Sequence, residues 1–382
     1  MRILIIKNAP GEIKVRNMTY NIQEIGLAIA LRKKGHNCDV MCVSDDGQYH
    51  EQQLSVEGQS LTIYSMKAFV LFKNGWLRCA DDIISQYDII QSCEYNQMYT
   101  WHLSKKYRHK MVCFHGPYYC DFNKNYNKMA KIFDLLFVNR YMKIGTYFIT
   151  KSELATDYLK RKGIKNIKTI GVGLSPTLLK NNEEVLPILK QIEKMKSIKL
   201  LYIGAIEPRR NTLFLLDILK KLIEDGEDVK LLLIGKYSNE DYQKLLTKHI
   251  TSLNLKEHIF YIPRVEQKYL GYVYNNSDIF LLPTIYDIYG MVLLEAMYFG
   301  IPTLTTINGG SNMLINDGLN GFVFKDFDVN KWIYVIKNLI HDKQKSSSIR
   351  IEASKTIRKH FTWDVLADKF IEAYKDKLNN KK

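Results

Sequence analysis

Residues 278–302 read DIFLLPTIYDIYGMVLLEAMYFGIP. DIFLLP is a short apolar run closed by a proline and reads as a buried strand. TIYDIY reads as a loop, and GMVLLEAMYF as a helix that stops at Gly300-Ile301-Pro302. Strand, loop and helix in that order form the repeating unit of parallel α/β sheets. The loop and the helix each carry one acid in apolar company, Asp287 and Glu295. The helix N-terminus falls beyond the carboxyl end of its strand, where open α/β sheets bind ligands. Amides of Gly290, Met291, Val292 and Leu293, reinforced by the helix dipole, would suit a phosphate group. Asp287 is then placed to accept hydrogen bonds from hydroxyls on one side of that phosphate, and Glu295 from a second hydroxylated group such as a ribose. A diphosphate flanked by two polyols is a nucleotide-sugar. The competing reading is that Asp287 only favours the helix N-terminus while Glu295 points to solvent.

The same alternation runs along the chain. RILII (2–6), CDVMCV (38–43), YDIIQS (87–92), KMVCFHG (110–116) and IKTIGVG (167–173) read as one series of strands. KLLYIGA (199–205), VKLLLIG (229–235), HIFYIP (258–263), DIFLLP (278–283) and PTLTT (302–306) read as a second. At 382 residues the chain exceeds what one core usually organises. The expected division is a first domain at 1–174, a linker at 175–198, a nucleotide-sugar domain at 199–360 and a C-terminal segment at 361–382. Two such sheets in tandem would face a cleft with their carboxyl ends. Arg209 and Arg210, in GAIEPRRNT after the first strand of the second series, would stabilise a departing diphosphate. His115 would face the cleft from the first domain, although a lone histidine after a strand is more often structural.

Charge is uneven. The net charge is +15, and residues 1–174 hold 25 Lys and Arg against 15 Asp and Glu. Such a bias favours an anionic surface or ligand without choosing between them. Residues 118–148 interleave aromatics with Lys124, Lys128, Lys131, Arg140 and Lys143. That mixture suits a lipid headgroup interface, or equally an amphipathic helix with solvated lysines over a core stripe. No stacking-and-basic motif of a nucleic-acid module is present, so nucleic acid is not an expected partner. No apolar run reaches the ~18–20 residues that cross a bilayer, and a cytoplasmic location is expected. The six cysteines form no zinc spacing and read as reduced thiols; no metal and no cofactor are expected. Asp326-Phe327-Asp328 has the spacing of a D-x-D metal motif, but Asp328 reads better as a helix N-cap.

The stretch from Pro283 through Asp287, Gly290, Glu295-Ala296 and Gly300-Ile301-Pro302 resembles the hallmark of the retaining glycosyltransferases of family four, which have the GT-B fold. GHNCDV (35–40), GVGL (171–174), GGSNMLINDGLNGFVF (309–324) and FTWDVLADKFIEAY (361–374) extend the resemblance over nearly the whole chain. It implies an α/β GT-B architecture of two Rossmann-like domains, the N-terminal one on the acceptor side, with parallel sheets facing an interdomain cleft and a C-terminal helix at 361–382 that returns toward the N-terminal domain. It implies metal-free transfer with retention, from a nucleotide-diphosphate sugar such as a UDP-sugar to a glycan or lipid-linked glycan of a surface polysaccharide. By this resemblance Asp287 contacts the donor sugar, Glu295 the ribose, and Arg210 the phosphates. Gly204 and Arg209 belong to the phosphate loop, Arg264 and Val265 receive the nucleobase, and Ile288 and Tyr289 line the donor-sugar pocket. His115 stands near the transferred sugar. The chain departs from the family pattern at Asp287 (for Glu), Ile288 (for Gly), Ala205 (for Arg), Met313 (for Glu), and Met18 and Thr19, where twin glycines are expected. These departures keep open a second reading, a non-catalytic nucleotide-sugar-binding subunit.

Overall fold

The computed structural model describes residues 1–13, 22–71, 74–179 and 185–379. The positions of Met18 and Thr19 lie outside them. The chain divides into two units, Met1–Ser175 with Thr362–Lys382, and Pro176–Phe361.

Among the described residues the first unit carries an eight-stranded sheet. Its strands are β1 (Arg2–Lys7), β2 (Asn37–Val43), β3 (His50–Val56), β4 (Gln59–Met66), β7 (Ile89–Cys93), β8 (Met111–His115), β9 (Tyr147–Thr150) and β10 (Ile167–Thr169), with a separate hairpin of β5 (Ala68–Leu71) and β6 (Asn74–Leu77). The order is β10-β9-β8-β7-β1-β2-β4-β3, parallel except where β3 runs against β4. Ile3–Ile6 are fully buried, as both faces of a parallel sheet require. The closing helix Trp363–Asn379 joins this unit: Trp363 donates its amide to the Leu174 carbonyl at 3.1 Å, and Tyr374 its hydroxyl to Gln91 at 2.8 Å.

In the second unit β11 (Ile198–Ile203), β12 (Val229–Ile234), β13 (Ile259–Ile262), β14 (Ile279–Leu282), β15 (Thr303–Thr306) and β16 (Phe322–Phe324) form a parallel sheet in the order β13-β12-β11-β14-β15-β16. Strand order reverses between β11 and β14. That switch point leaves a crevice at the carboxyl edge of the sheet. Of the segment read as a linker, 175–198, the described residues from Pro176 onward fall with this unit: they hold a 3-10 turn at Pro176–Leu179 and a helix at Pro187–Lys194, and Glu193 accepts a hydrogen bond from Tyr272 at 2.5 Å. Asp328 caps the helix Val329–His341, accepting the Asn330 amide at 3.0 Å, while Asp326 accepts Lys331 at 2.6 Å. Both carboxylates of the D-x-D spacing thus have structural partners.

A candidate nucleotide-diphosphate site in the second unit

Three loops meet at the carboxyl ends of β11, β14 and β15, three adjacent strands. The first, after β11, turns through Pro208–Arg210. The second, after β14, carries 283–290 into the helix Met291–Tyr298. Backbone bonds tie them together. The Ile285 amide and the Thr284 hydroxyl both donate to the Arg209 carbonyl, at 2.9 and 3.2 Å, and Arg209 Nη1 donates to the Tyr286 carbonyl at 2.8 Å. The rest of the Arg209 guanidinium is held by Glu207, with Nη2 to Oε1 at 2.6 Å. Arg209 therefore builds the loop more than it faces a ligand.

Arg210 crosses the switch point and donates from Nη1 to Asp287 Oδ2. Asp287 is 8% exposed, and both side chains of the pair are largely buried. Burial alone would lower the Arg210 pKa, but the Asp287 carboxylate outweighs it and the net shift is upward. Arg210 Nε is buried without a hydrogen-bond partner. The two residues that sequence assigned separately to phosphate and to sugar are thus one ion pair.

The third loop, after β15, supports the second. Gly309 donates its amide to the Asp287 carbonyl at 3.0 Å. A Cβ on Gly309 would overlap the Ile288 carbonyl oxygen, and one on Gly310 the Tyr289 carbonyl oxygen. The glycine pair is therefore what lets this loop lie against residues 287–289. Asn308, fully buried, fixes it: its Oδ1 accepts the amides of Gly310 and Ser311 at 3.0 and 3.1 Å.

Gly290 starts the helix in the left-handed region, φ 78°. Of the four amides expected to face a phosphate, that of Leu293 donates to the Gly290 carbonyl at 2.8 Å, which corrects the expectation for that residue. Met291 and Val292 are half-exposed at the first turn, with Ile288 half-exposed and Tyr289 buried just before. Glu295 is 5% exposed, so it does not point to solvent. It accepts from the Tyr274 hydroxyl at 2.9 Å and, at 3.4 Å, from Gln267 Nε2. Burial and then the Glu295 charge push the Tyr274 pKa up, keeping its hydroxyl a donor. Gln267 and Tyr274, seven residues apart on one helix (Gln267–Asn275), were missed by sequence reading, although that spacing puts both on one face. Gly204 follows β11 and donates its amide to the Ile234 carbonyl at 3.0 Å; Arg264 is exposed and Val265 buried after β13.

His115 belongs to the first unit, at the end of β8, and is fully buried. Its Nδ1 lies 2.8 Å from Glu94 Oε2, and the same carboxylate accepts the Gly116 amide at 3.0 Å and Lys151 Nζ at 3.2 Å. Burial would raise the Glu94 pKa, but Lys151 and His115 pull it down to about 2; burial would lower that of Lys151, which Glu94 lifts to about 12. An ionised carboxylate only accepts, so in the neutral ring Nδ1 carries the proton and Nε2 the lone pair. That Nε2 is buried without a partner. Glu94 and Lys151, after β7 and β9, are further residues that sequence reading missed.

A depressed carboxylate stabilises above its unfolded pKa, and a raised lysine below its own. The Glu94–Lys151 pair is thus complete from about pH 5 to about pH 10, lost toward pH 2 and toward pH 12. The Tm gap between the native chain and Glu94→Gln should be constant from about pH 5 to pH 9 and shrink below about pH 4. A gap independent of pH down to about 2 would contradict the ion pair.

Two family descriptions match the chain: "Glycosyltransferase Family 4" over residues 25–177 and "Glycosyl transferases group 1" over residues 188–356. The chain belongs to glycosyltransferase family four. Spore coat protein SA of Bacillus subtilis is 26% identical over 179 residues, which are 46% of this chain and 48% of that protein. The chain spans about half the length of the curated relatives it matches. A glycosyltransferase of Rickettsia africae superposes with a TM-score of 0.75 at 17% identity, covering 100% of both chains. Anabaena HepE, solved in complex with UDP and glucose, superposes with a TM-score of 0.70 at 16% identity over 98% of this chain and 99% of its own. These structures show the family-four fold, GT-B, with two Rossmann-like units.

Proposed function

We propose that the chain is a retaining glycosyltransferase that moves one sugar from a nucleotide-diphosphate sugar, a UDP-sugar by preference, to a glycan or lipid-linked glycan of a surface polysaccharide. The observation that carries this reading is the Arg210–Asp287 pair across the strand switch point, beside a helix N-terminus and one helix turn from the buried Glu295. Arg210 binds the diphosphate and neutralises the charge that grows on it as the glycosidic bond breaks. Asp287, already oriented by Arg210, accepts from the donor sugar's hydroxyls, and Glu295, held by Tyr274, accepts from the ribose. The family match, and the UDP and glucose bound by HepE, support a nucleotide-sugar donor. We assign His115, set by Glu94, to the acceptor side.

Transfer with retention needs no enzyme nucleophile. The acceptor oxygen bonds to the anomeric carbon on the face that the diphosphate leaves, and the acceptor proton passes to the departing phosphate oxygen. We assign no step to a metal.

A thermal-shift screen of UDP, GDP, ADP and CMP with their sugars tests the donor site. One nucleotide family should raise Tm without added metal, and Glu295→Gln should weaken its binding by about tenfold, the scale of one charge-assisted hydrogen bond. No shift with any nucleotide would contradict the reading. Binding with no turnover on any acceptor would favour a binding subunit instead.

A further inference from the structure

The helix Lys124–Ile144, 21 residues long, is apolar on two faces. Ala130, Phe133, Phe137, Val138 and Tyr141 pack inward. On the opposite side Met129, Ile132, Leu135 and Leu136 are exposed, Leu135 by 84%, and the exposed Phe122 precedes them in the chain. Burying a core stripe does not explain this second stripe, since each of its side chains is left in water.

Cations surround it. Lys124, Lys128 and Lys131 are exposed toward the N-terminal half, and Lys143 at the other end. Arg140 lies over the rings of Trp101 and Phe137, at 5.8 and 5.5 Å. The helix has one acid, Asp134, and it is already held by Lys162 and, at 2.8 Å, by the Tyr95 hydroxyl. The helix's exposed face thus joins apolar side chains to lysines with no exposed carboxylate of its own, while Asp121, exposed beside Phe122, accepts the Tyr119 hydroxyl at 2.6 Å.

A second apolar projection belongs to the same unit. In the β5–β6 hairpin Phe69, Val70 and Leu71 are exposed. Trp76 of the hairpin packs on Tyr99 and His102 of the helix Met98–Lys106, at 5.5 and 4.8 Å between ring centroids. Phe137 packs on Trp101 of that same helix at 4.9 Å. The two projections therefore flank one helix, which itself ends in Lys105 and in Lys106, the latter paired with Asp81 at 2.8 Å.

We propose that the outer face of the helix Lys124–Ile144, with the β5–β6 hairpin beside it, docks on an anionic bilayer surface. Apolar side chains would enter the acyl boundary while the lysine stems lie along it with their ammonium groups among the phosphates. Charge selects this occupant: a lipid surface offers the continuous negative charge that a face of lysines without free acids complements. The proposal deepens the reading of a lipid-linked acceptor and rests on it, since such an acceptor lies in the plane where this face would dock.

The test is sedimentation of the full chain with phosphatidylcholine vesicles, with and without about one third phosphatidylglycerol. The chain should pellet with the anionic vesicles and be released by raised salt. Ile132→Ser/Leu135→Ser/Leu136→Ser should lower partitioning at least about tenfold, and Lys128→Glu/Lys131→Glu should abolish the preference for anionic lipid. Circular dichroism and nucleotide titration of both variants should match the native chain. No vesicle binding by the native chain, or binding that the triple variant leaves unchanged, overturns the proposal. So does a homodimer in solution that the triple variant dissociates, since a second copy would then cover the face. Loss of the donor-site reading would show instead as absent nucleotide binding with vesicle binding intact.

Discussion

Replacing Arg210 by methionine should lower turnover of the nucleotide-sugar at least about a hundredfold and destabilise the chain by about 3 kcal/mol. The stability loss arises because Asp287, at 8% exposure, would be left charged without its guanidinium partner. The turnover loss has a different origin, since the diphosphate would lose the cation that stabilises its departure. A double variant separates the two. Arg210→Met/Asp287→Asn removes both charges, so it should recover most of the stability and none of the turnover. Recovery of turnover would mean that Arg210 acts only on Asp287. Kinetics unchanged in Arg210→Met would refute its role outright.

Gly309→Ala should be nearly as damaging although it touches no charged group. The new Cβ would overlap the Ile288 carbonyl oxygen, and neither backbone can yield without breaking the Gly309–Asp287 hydrogen bond. The expected cost is about 3 kcal/mol, or ~6–10 °C in Tm. Nucleotide affinity should fall with it, because Asp287 and the start of the helix Met291–Tyr298 are carried by the displaced loop. Asn308→Ala, which removes the acceptor for two amides but adds no bulk, should cost less, about 2 kcal/mol. A Gly309→Ala chain that melts and binds nucleotide like the native one would show that the loop is not held from below.

The central parallel strands were legible because near-complete burial writes a continuous apolar run such as RILII or KLLYI, whereas the parallel strands β4 and β9 were not read. Nor was the antiparallel edge. β3 has only Leu54 buried, so HEQQLSV carries little pattern. Its turn to β4 runs through Glu57 and Gly58, φ 53° and 72°, both left-handed. A two-residue hairpin of that type is announced by Asn-Gly or Asp-Gly, and glutamate at the first position hides it. In the site, sequence put Arg210 and Asp287 in the loops after two strands and Glu295 in the helix that follows the second, as the structure does, because strand ends and helix starts are local features. It could not place Arg210 against Asp287, since that contact depends on β14 pairing beside β11 rather than next to β13. The partners of Glu295 and His115 were hidden for the same reason, being supplied by a different helix or by neighbouring strands.

The glycines divide in the same way. Gly290 is readable as a helix start. Gly309 and Gly310 match a family pattern, but their physical cause, the carbonyls of Ile288 and Tyr289 lying where a side chain would be, exists only in three dimensions.

On the proposed function, a nucleotide-diphosphate sugar binds where the ends of β11, β14 and β15 converge. Hydrogen–deuterium exchange with and without the nucleotide selected by thermal shift tests it directly. Protection should concentrate in 204–212, 284–293 and 307–311 and be diminished in Arg210→Met. Protection elsewhere in the chain, with these three loops unchanged, would contradict it.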